Sequence, residues 1–123
     1  MNIQPAYVTF EQAKLLFEKN FNEYCNSYYE KDKSLHQYVG NYNSEDQEIY
    51  MPHYSRPEQW MVIEWLRVKH GIWIYILPYS ILFRPYAEEL VDEDRFGKWE
   101  GHKYNTPQEA YSAAFDYILN NLI

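Results

Sequence analysis

The chain has little of what most functional signatures require. One cysteine, Cys25, stands among 123 residues, so no internal disulfide can form and the paired-cysteine spacings of zinc sites are missing. Glycine occurs only at 40, 71, 97 and 101, and none of the four forms a phosphate-cradling loop. The longest apolar run, Ile72–Pro78, falls far short of a membrane span. The opening MNIQPAYVTF has neither the basic start nor the apolar stretch of a secretion signal. Together with a lone thiol, this leads us to expect the cytosol of a bacterial-type cell. Bases are scarce as well: 11 Lys and Arg against 18 Asp and Glu give a net charge of −7. Duplex affinity comes mainly from Lys and Arg neutralising phosphate, so this balance weighs against nucleic acid, and against anionic membranes too. Solubility is reason enough for the acidity.

What the chain has in excess is aromatic surface. Fourteen Tyr, four Trp and six Phe make up 20% of it. A domain of this size has room for only some of them in its core, and Tyr is amphipathic and common at interfaces. The length falls in the usual range for one domain, large enough to fold without metal or disulfide staples, so we expect a single domain over 1–123.

Three helices are marked by their ends. Thr9-Phe10-Glu11-Gln12 reads as a capping box, after which Phe10, Ala13, Leu16 and Phe17 share one face. Asn20 suits the left-handed C′ position, with Phe21 folding back toward Leu16. Ser55-Arg56-Pro57-Glu58 reads as a second box opening a helix that stops at Gly71, with Lys69 and His70 in its last turn. Thr106-Pro107-Gln108-Glu109 opens the third, whose buried stripe is expected at Ala110, Tyr111, Ala114, Phe115, Ile118 and Leu122. Between them, Tyr24–Glu30 and Leu35–Val39 read as a hairpin about the turn Lys31-Asp32-Lys33-Ser34. Ile72–Leu77 alternates, Ile72, Ile74 and Ile76 against Trp73, Tyr75 and Leu77. Pro78-Tyr79-Ser80 turns the chain into Ile81–Val91, where Pro85 marks an edge or a bulge. Gly97–Tyr104 adds a short extended stretch, while Gly40–Tyr54 and Asp92–Gly97 read as loops. The expectation is an α+β fold, three helices packed on an antiparallel sheet of two hairpins, in the order α-β-β-α-β-β-α.

No catalytic motif emerges, and no cofactor or metal is expected. His36, His53, His70 and His102 are scattered over different elements, and a metal site of His53, His70 and an acid is a weaker reading than surface histidines. Nothing beside Cys25 lowers its pKa, which favours a structural thiol over a nucleophile. Glu88, Glu89, Asp92, Glu93 and Asp94 read as a solvated run, with imitation of nucleic-acid phosphates as the less favoured reading. The second helix is more informative. At 100° per residue Met61, Val62, Trp65, Leu66 and Val68 fall on its core side, and Trp60, Ile63, Glu64 and Arg67 on the other. Trp and Arg are enriched at binding hot spots. The candidate protein-binding residues are therefore Trp60, Ile63 and Arg67, joined by Tyr28 and Tyr38 of the Tyr-rich first hairpin; the equal alternative is that this helix is sandwiched, or covered by the Gly40–Tyr54 loop.

Three stretches carry a resemblance: Thr9–Leu16, Trp65–Ile72 (WLRVKHGI), and Tyr104–Ala110 (YNTPQEA) running into Ala113-Ala114. In these the chain resembles a large group of small uncharacterised proteins of gut Bacteroidales, their phages and their mobile elements. The resemblance implies a cytoplasmic setting and an accessory, phage-borne gene, and it carries over no catalytic or binding residue. The turn into the last helix also resembles the hairpin-then-helix ending of small DNA-binding modules in integrases. Those carry basic strands, whereas Arg84-Pro85-Tyr86-Ala87-Glu88-Glu89 does not. The function expected from the residues is non-enzymatic, binding of another protein (a second copy of the chain included) through aromatic surface. The alternative is a nucleic-acid-directed module. It would be either an acidic phosphate mimic or a weak binder using Lys14, Lys31, Lys33, Arg56 and Lys69. An enzyme would need a concave pocket with convergent polar groups.

Overall fold

The computed structural model describes residues 5–37, 40, 53–92 and 95–123, without the side chains of 90–92, 95 and 96. It is an α+β protein with the order α-β-β-β-α-β-β-β-α, and two three-stranded antiparallel sheets take the place of the expected two hairpins. The chain forms two compact units, Met1–Glu58 and Gln59–Ile123.

The first unit holds α1 (Phe10–Glu18), β1 (Tyr28–Glu30), β2 (Leu35–His36) and β3 (His53–Ser55), the strands in the order β2-β1-β3. The capping box on α1 is complete: the Gln12 N–H donates to Thr9 Oγ1 at 3.2 Å, and the Thr9 N–H donates to Gln12 Oε1 at 3.0 Å. Its far end closes as a Schellman motif. Asn20 takes φ 65, its N–H donates to the Phe17 carbonyl, and the Phe21 N–H donates to the Leu16 carbonyl. Phe21 and Leu16 are both fully buried, so the cap carries its usual apolar clasp. The exposure of Phe17 departs from the expected buried face; its ring meets Tyr54 of β3 edge-on at 5.4 Å.

β3 corrects two expectations. The Gly40–Tyr54 segment ends in a strand, and Ser55 is no helix cap but the last residue of that strand, opposite Tyr28. Arg56 precedes a proline and is held extended, its N–H donating to the Ser27 carbonyl at 3.0 Å. With the ladder claiming these residues, the helix begins only at Gln59. The expected strands of the first hairpin shrink to Tyr28–Glu30 and Leu35–His36, about the expected turn, and residues 38–39 lie outside the described residues.

The second unit contains α2 (Gln59–His70), β4 (Ile72–Tyr79), β5 (Leu82–Asp92), β6 (Arg95–Glu100) and α3 (Pro107–Asn121), with strand order β4-β5-β6. α2 and α3 pack on this sheet and on each other. The buried side chains of α2 are Gln59, Val62, Trp65 and Leu66, so Met61 sits at the margin of the core and Val68 is exposed, against expectation. Gln59 is buried at no loss because its amide donates to the Gln108 carbonyl at 3.0 Å, fixing the start of α2 to the first turn of α3. Gly71 ends α2 at φ 66, as expected. In α3 the Thr106 cap and Pro107 stand where expected. Its core residues are Ala110, Ala114, Phe115, Ile118 and Leu119, with Tyr111 and Leu122 only half-buried.

β4 runs through Pro78 and Tyr79, and the turn is Ser80-Ile81, with Ser80 at φ 59 and Tyr79 opposite Leu82. The region read as an acidic loop, Asp92–Gly97, instead feeds β6, which makes β5 the central strand. A proline in a central strand needs explaining. The Gly101 N–H donates to the Pro85 carbonyl at 2.9 Å, so the main chain of Pro85 faces the β6 side, just past the last β6 residue, Glu100. The donor that proline lacks is therefore missing where the ladder already stops. The two chains pair again at Phe83 and Tyr104, which leaves one extra residue on the Gly101–Tyr104 side, a bulge.

Gly101 is required by this crossing. A Cβ there would lie 2.7 Å from Pro85 Cγ and 2.7 Å from Trp99 Cη2. Gly101→Ala is expected to lower unfolding stability by about 1–3 kcal/mol in urea titration, the usual cost of overpacking. Gly101→Asn should be worse still. Gly71→Asn should be nearly neutral, since that position has open space and asks only for a left-handed conformation.

Candidate functional site

The geometry bears on several chemical readings. Cys25 is buried, and burial pushes its thiol up to about 12, which leaves it almost no thiolate at neutral pH. Among the described residues no group of three or more His, Cys, Asp or Glu is placed to hold a metal ion. None of their helices is long and apolar enough to cross a membrane. The acidic run is split by the strand period: Glu88 lies on one face of β5 and Glu89 on the other, while Glu93 and Asp94 lie outside the described residues.

What the second unit does assemble is an aromatic surface on the sheet face turned away from the helices. The inner face is set by Ile72 and Ala87, both buried, and by Trp99, which stacks on Tyr117 of α3 at 4.8 Å. Strand alternation then sends Trp73, Tyr75, Leu77 and Tyr79 of β4 outward, beside Arg84, Tyr86 and Glu88 of β5 and Lys98 and Glu100 of β6. Trp73 is 56% exposed and Leu77 43%, and Ile81 at the hairpin tip is 83% exposed.

Cross-strand contacts order this face. The rings of Tyr75 and Tyr86 stack at 5.1 Å and 7°. The Tyr75 hydroxyl donates to Glu88 at 2.9 Å, Tyr79 and Tyr86 share a hydrogen bond of 3.0 Å, and Tyr86 donates to Glu100 at 3.3 Å. Arg84 pairs with Glu100 at 2.6 Å and lies over the Tyr79 ring, as does Lys103 at 4.7 Å. Lys98 pairs with Glu88 at 3.9 Å. Between Tyr86, Glu88, Lys98 and Glu100 lies a shallow depression of about 330 Å³. This network holds two of the phenols, Tyr75 and Tyr86, in their neutral form. The bond to Glu88 raises Tyr75, and the bond to Tyr79, aided by burial, pushes Tyr86 up to about 12.

The surface continues onto α2, where Trp60, Glu64, Arg67 and Val68 form one stripe, with Trp60 60% exposed. Arg67 donates to Glu64 at 2.7 Å and carries its guanidinium 5.5 Å from the Trp73 ring, which joins the helix stripe to the sheet face. Of the sequence candidates, Trp60 and Arg67 thus belong to one surface, with Ile63 half-buried at its margin. Tyr28 belongs to the first unit, half-buried, its ring stacked on His36 at 5.1 Å and 4.5 Å from His53. Tyr38 lies outside the described residues. Trp73, Tyr75, Leu77, Tyr79 and Tyr86 were not among the candidates, although the alternation of β4 already set Trp73, Tyr75 and Leu77 on one side. No known family, curated protein or solved structure matches the chain, so its own geometry carries the functional reading.

Two outcomes follow. Trp60→Ala should shift unfolding stability by no more than about 0.5 kcal/mol, whereas Trp65→Ala, which empties a buried site, should cost about 3–5 kcal/mol by thermal or chemical melt. Equal losses would mean that Trp60 is core. The tyrosine network fixes a sign at alkaline pH. Because the fold raises Tyr75 and Tyr86, it favours their protonated forms; that stabilisation is full below pH 10 and lost as pH rises from about 10 to 12. Absorbance titration near 295 nm should resolve late-ionising phenols, and Glu88→Gln should bring one of them back toward 10.

Proposed function

We propose that the chain is a non-enzymatic accessory protein, of phage or mobile-element type, that works by binding another protein. The contact surface is the outer face of β4 and β5 together with the outer stripe of α2. One observation carries the reading: Trp60, Val68, Trp73, Leu77 and Ile81 are all exposed within one unit, a density of large apolar side chains that a free-standing soluble surface seldom keeps. Trp and Arg at its centre suit a hot spot, and Glu64–Arg67, Arg84–Glu100 and Lys98–Glu88 suit a polar surround.

The nucleic-acid alternative draws on Arg84 and Lys103 flanking the Tyr79 ring, an arrangement on which a base can stack. Against it, Arg84 and Lys98 are each matched by a carboxylate, which leaves little positive charge for a phosphate chain. The discriminating experiment is quantitative capture. Tagged chain should retain a defined protein that Trp60→Ala and Trp73→Ala release, with a loss of about 2 kcal/mol or more in affinity at the hot spot. If both variants retain their partner at unchanged affinity, the surface is wrong. A labelled oligonucleotide shifted at low salt by the wild type and not by Tyr79→Ala would replace the reading with the alternative.

A further inference from the structure

The two edges of the β4-β5-β6 sheet are not equivalent. β6 carries Lys98 and Glu100, charges of the kind by which natural edge strands avoid pairing with other chains. β4, the other edge, has no charged residue from Ile72 to Tyr79, and within the strand itself Pro78 is its one guard. The direction of its backbone follows from the hydrogen bonds of β5. Pro85 faces β6, so Tyr86 faces β4, and its partner Tyr75 faces back toward β5. Ile74 and Ile76 on either side of Tyr75 therefore aim their N–H and C=O groups away from the sheet, and no strand among the described residues pairs with them. Arg67 over Trp73 places the last turn of α2 beside the start of β4, and no strand among the described residues lies along Ile74–Pro78 on the side away from β5.

We propose that this edge joins two copies of the chain, β4 against β4 in antiparallel fashion, with the two-fold axis at Tyr75. The register is set by the donors: Ile74 of one copy and Ile76 of the other exchange both their backbone bonds, and Pro78, which has no N–H to give, ends the ladder at each side. Tyr75 then meets Tyr75 of the second copy, and Trp73 meets Leu77, so every cross-strand pair is apolar or aromatic. The edge itself sets no charge against a second copy, because β4 carries none from Ile72 to Tyr79, although each whole chain carries −7. The pairing uses main chain and leaves the outer face, now continuous across both copies, available for the partner proposed above.

Site-directed cross-linking tests both dimer and register. Two residues facing each other at a non-hydrogen-bonded antiparallel pair have Cα atoms about 4.5 Å apart, within disulfide reach. Oxidised Tyr75→Cys should give a covalent dimer, and Leu77→Cys alone should not, because its counterpart is Trp73. The native Cys25, buried with its pKa raised, stays silent. Sedimentation velocity of the wild type should show a concentration-dependent dimer. Ile76→Pro, which removes an edge-facing donor along with a half-buried side chain, should shift it to monomer while circular dichroism shows the fold kept. Tyr75→Lys should do the same by setting like charges across the axis. A monomer at every concentration, a dimer that survives both substitutions, or Leu77→Cys cross-linking as readily as Tyr75→Cys would each overturn the proposal. Trp60→Ala separates it from the binding surface, since that variant should keep the dimer while losing the partner.

Discussion

The alternation of β4 and β5 is the constraint from which the character of the second unit follows. Successive strand residues point to opposite faces, so anchoring Ile72 and Ala87 beneath α2 and α3 commits Trp73, Tyr75, Leu77 and Tyr86 to the other side. Core burial explains the first set, at roughly 1.5–3 kcal/mol for each large apolar side chain fully removed from water. It does not explain why the second set is aromatic. Cross-strand pairs such as Tyr75–Tyr86 return roughly 0.2–1 kcal/mol each, which a polar pair on a solvated face supplies as well. Folding of this unit alone does not call for the excess of aromatic surface on this face, and the proposed contact role would account for it.

Pro85 and Gly101 hold the other half of this unit in place. The proline ring closes the β5–β6 ladder, and the bare Cα of Gly101 passes between that ring and Trp99. Past this crossing the bulge brings Tyr104 back to Phe83, two residues before the Thr106 cap of α3. The angle at which α3 enters, and so the stacking of Tyr117 on Trp99, is fixed by three local rules acting within a short stretch of chain.

What the sequence disclosed and what it hid divide along one physical line. Interactions closed within a few residues were legible: the Thr9–Gln12 box, the Asn20 and Gly71 termini, and the Thr106-Pro107 entry to α3 all stand where their residue types indicate. Pairings that depend on distant chain were not. Ser55 has the same local signature as Thr9, yet Tyr28 claims it for a ladder, and nothing near Ser55 announces Tyr28. β6 is legible only in part: Gly97–Tyr104 reads as extended, but nothing in Arg95–Glu100 tells that it starts before Gly97 and pairs with β5. The phase of α2 was off by part of a turn: Val68 and Met61 look apolar enough for the core, but the buried amide of Gln59 shows where that core lies. Placing the hairpin turn at Pro78–Ser80 also shortened β4 and hid Tyr79 from the outer face, where it bonds Tyr86.

Charge placement completes the picture. Among the described side chains of the aromatic face each acid has a base beside it, Glu64 with Arg67, Glu88 with Lys98, Glu100 with Arg84, while the chain as a whole carries −7. Exposed pairs of this kind contribute little to stability, about 0–1 kcal/mol apiece. Their effect on encounter is larger. A locally neutral surface imposes no long-range repulsion on an approaching protein, whereas an acidic chain without such a patch turns away other acidic surfaces, its own copies among them. Neutral pairing also discriminates. A phosphate chain meeting Arg84 or Lys98 must first displace a carboxylate already held there, a penalty that a partner offering apolar surface does not meet. On the proposed reading, the same salt bridges that stabilise the fold so little favour an apolar partner over a phosphate chain.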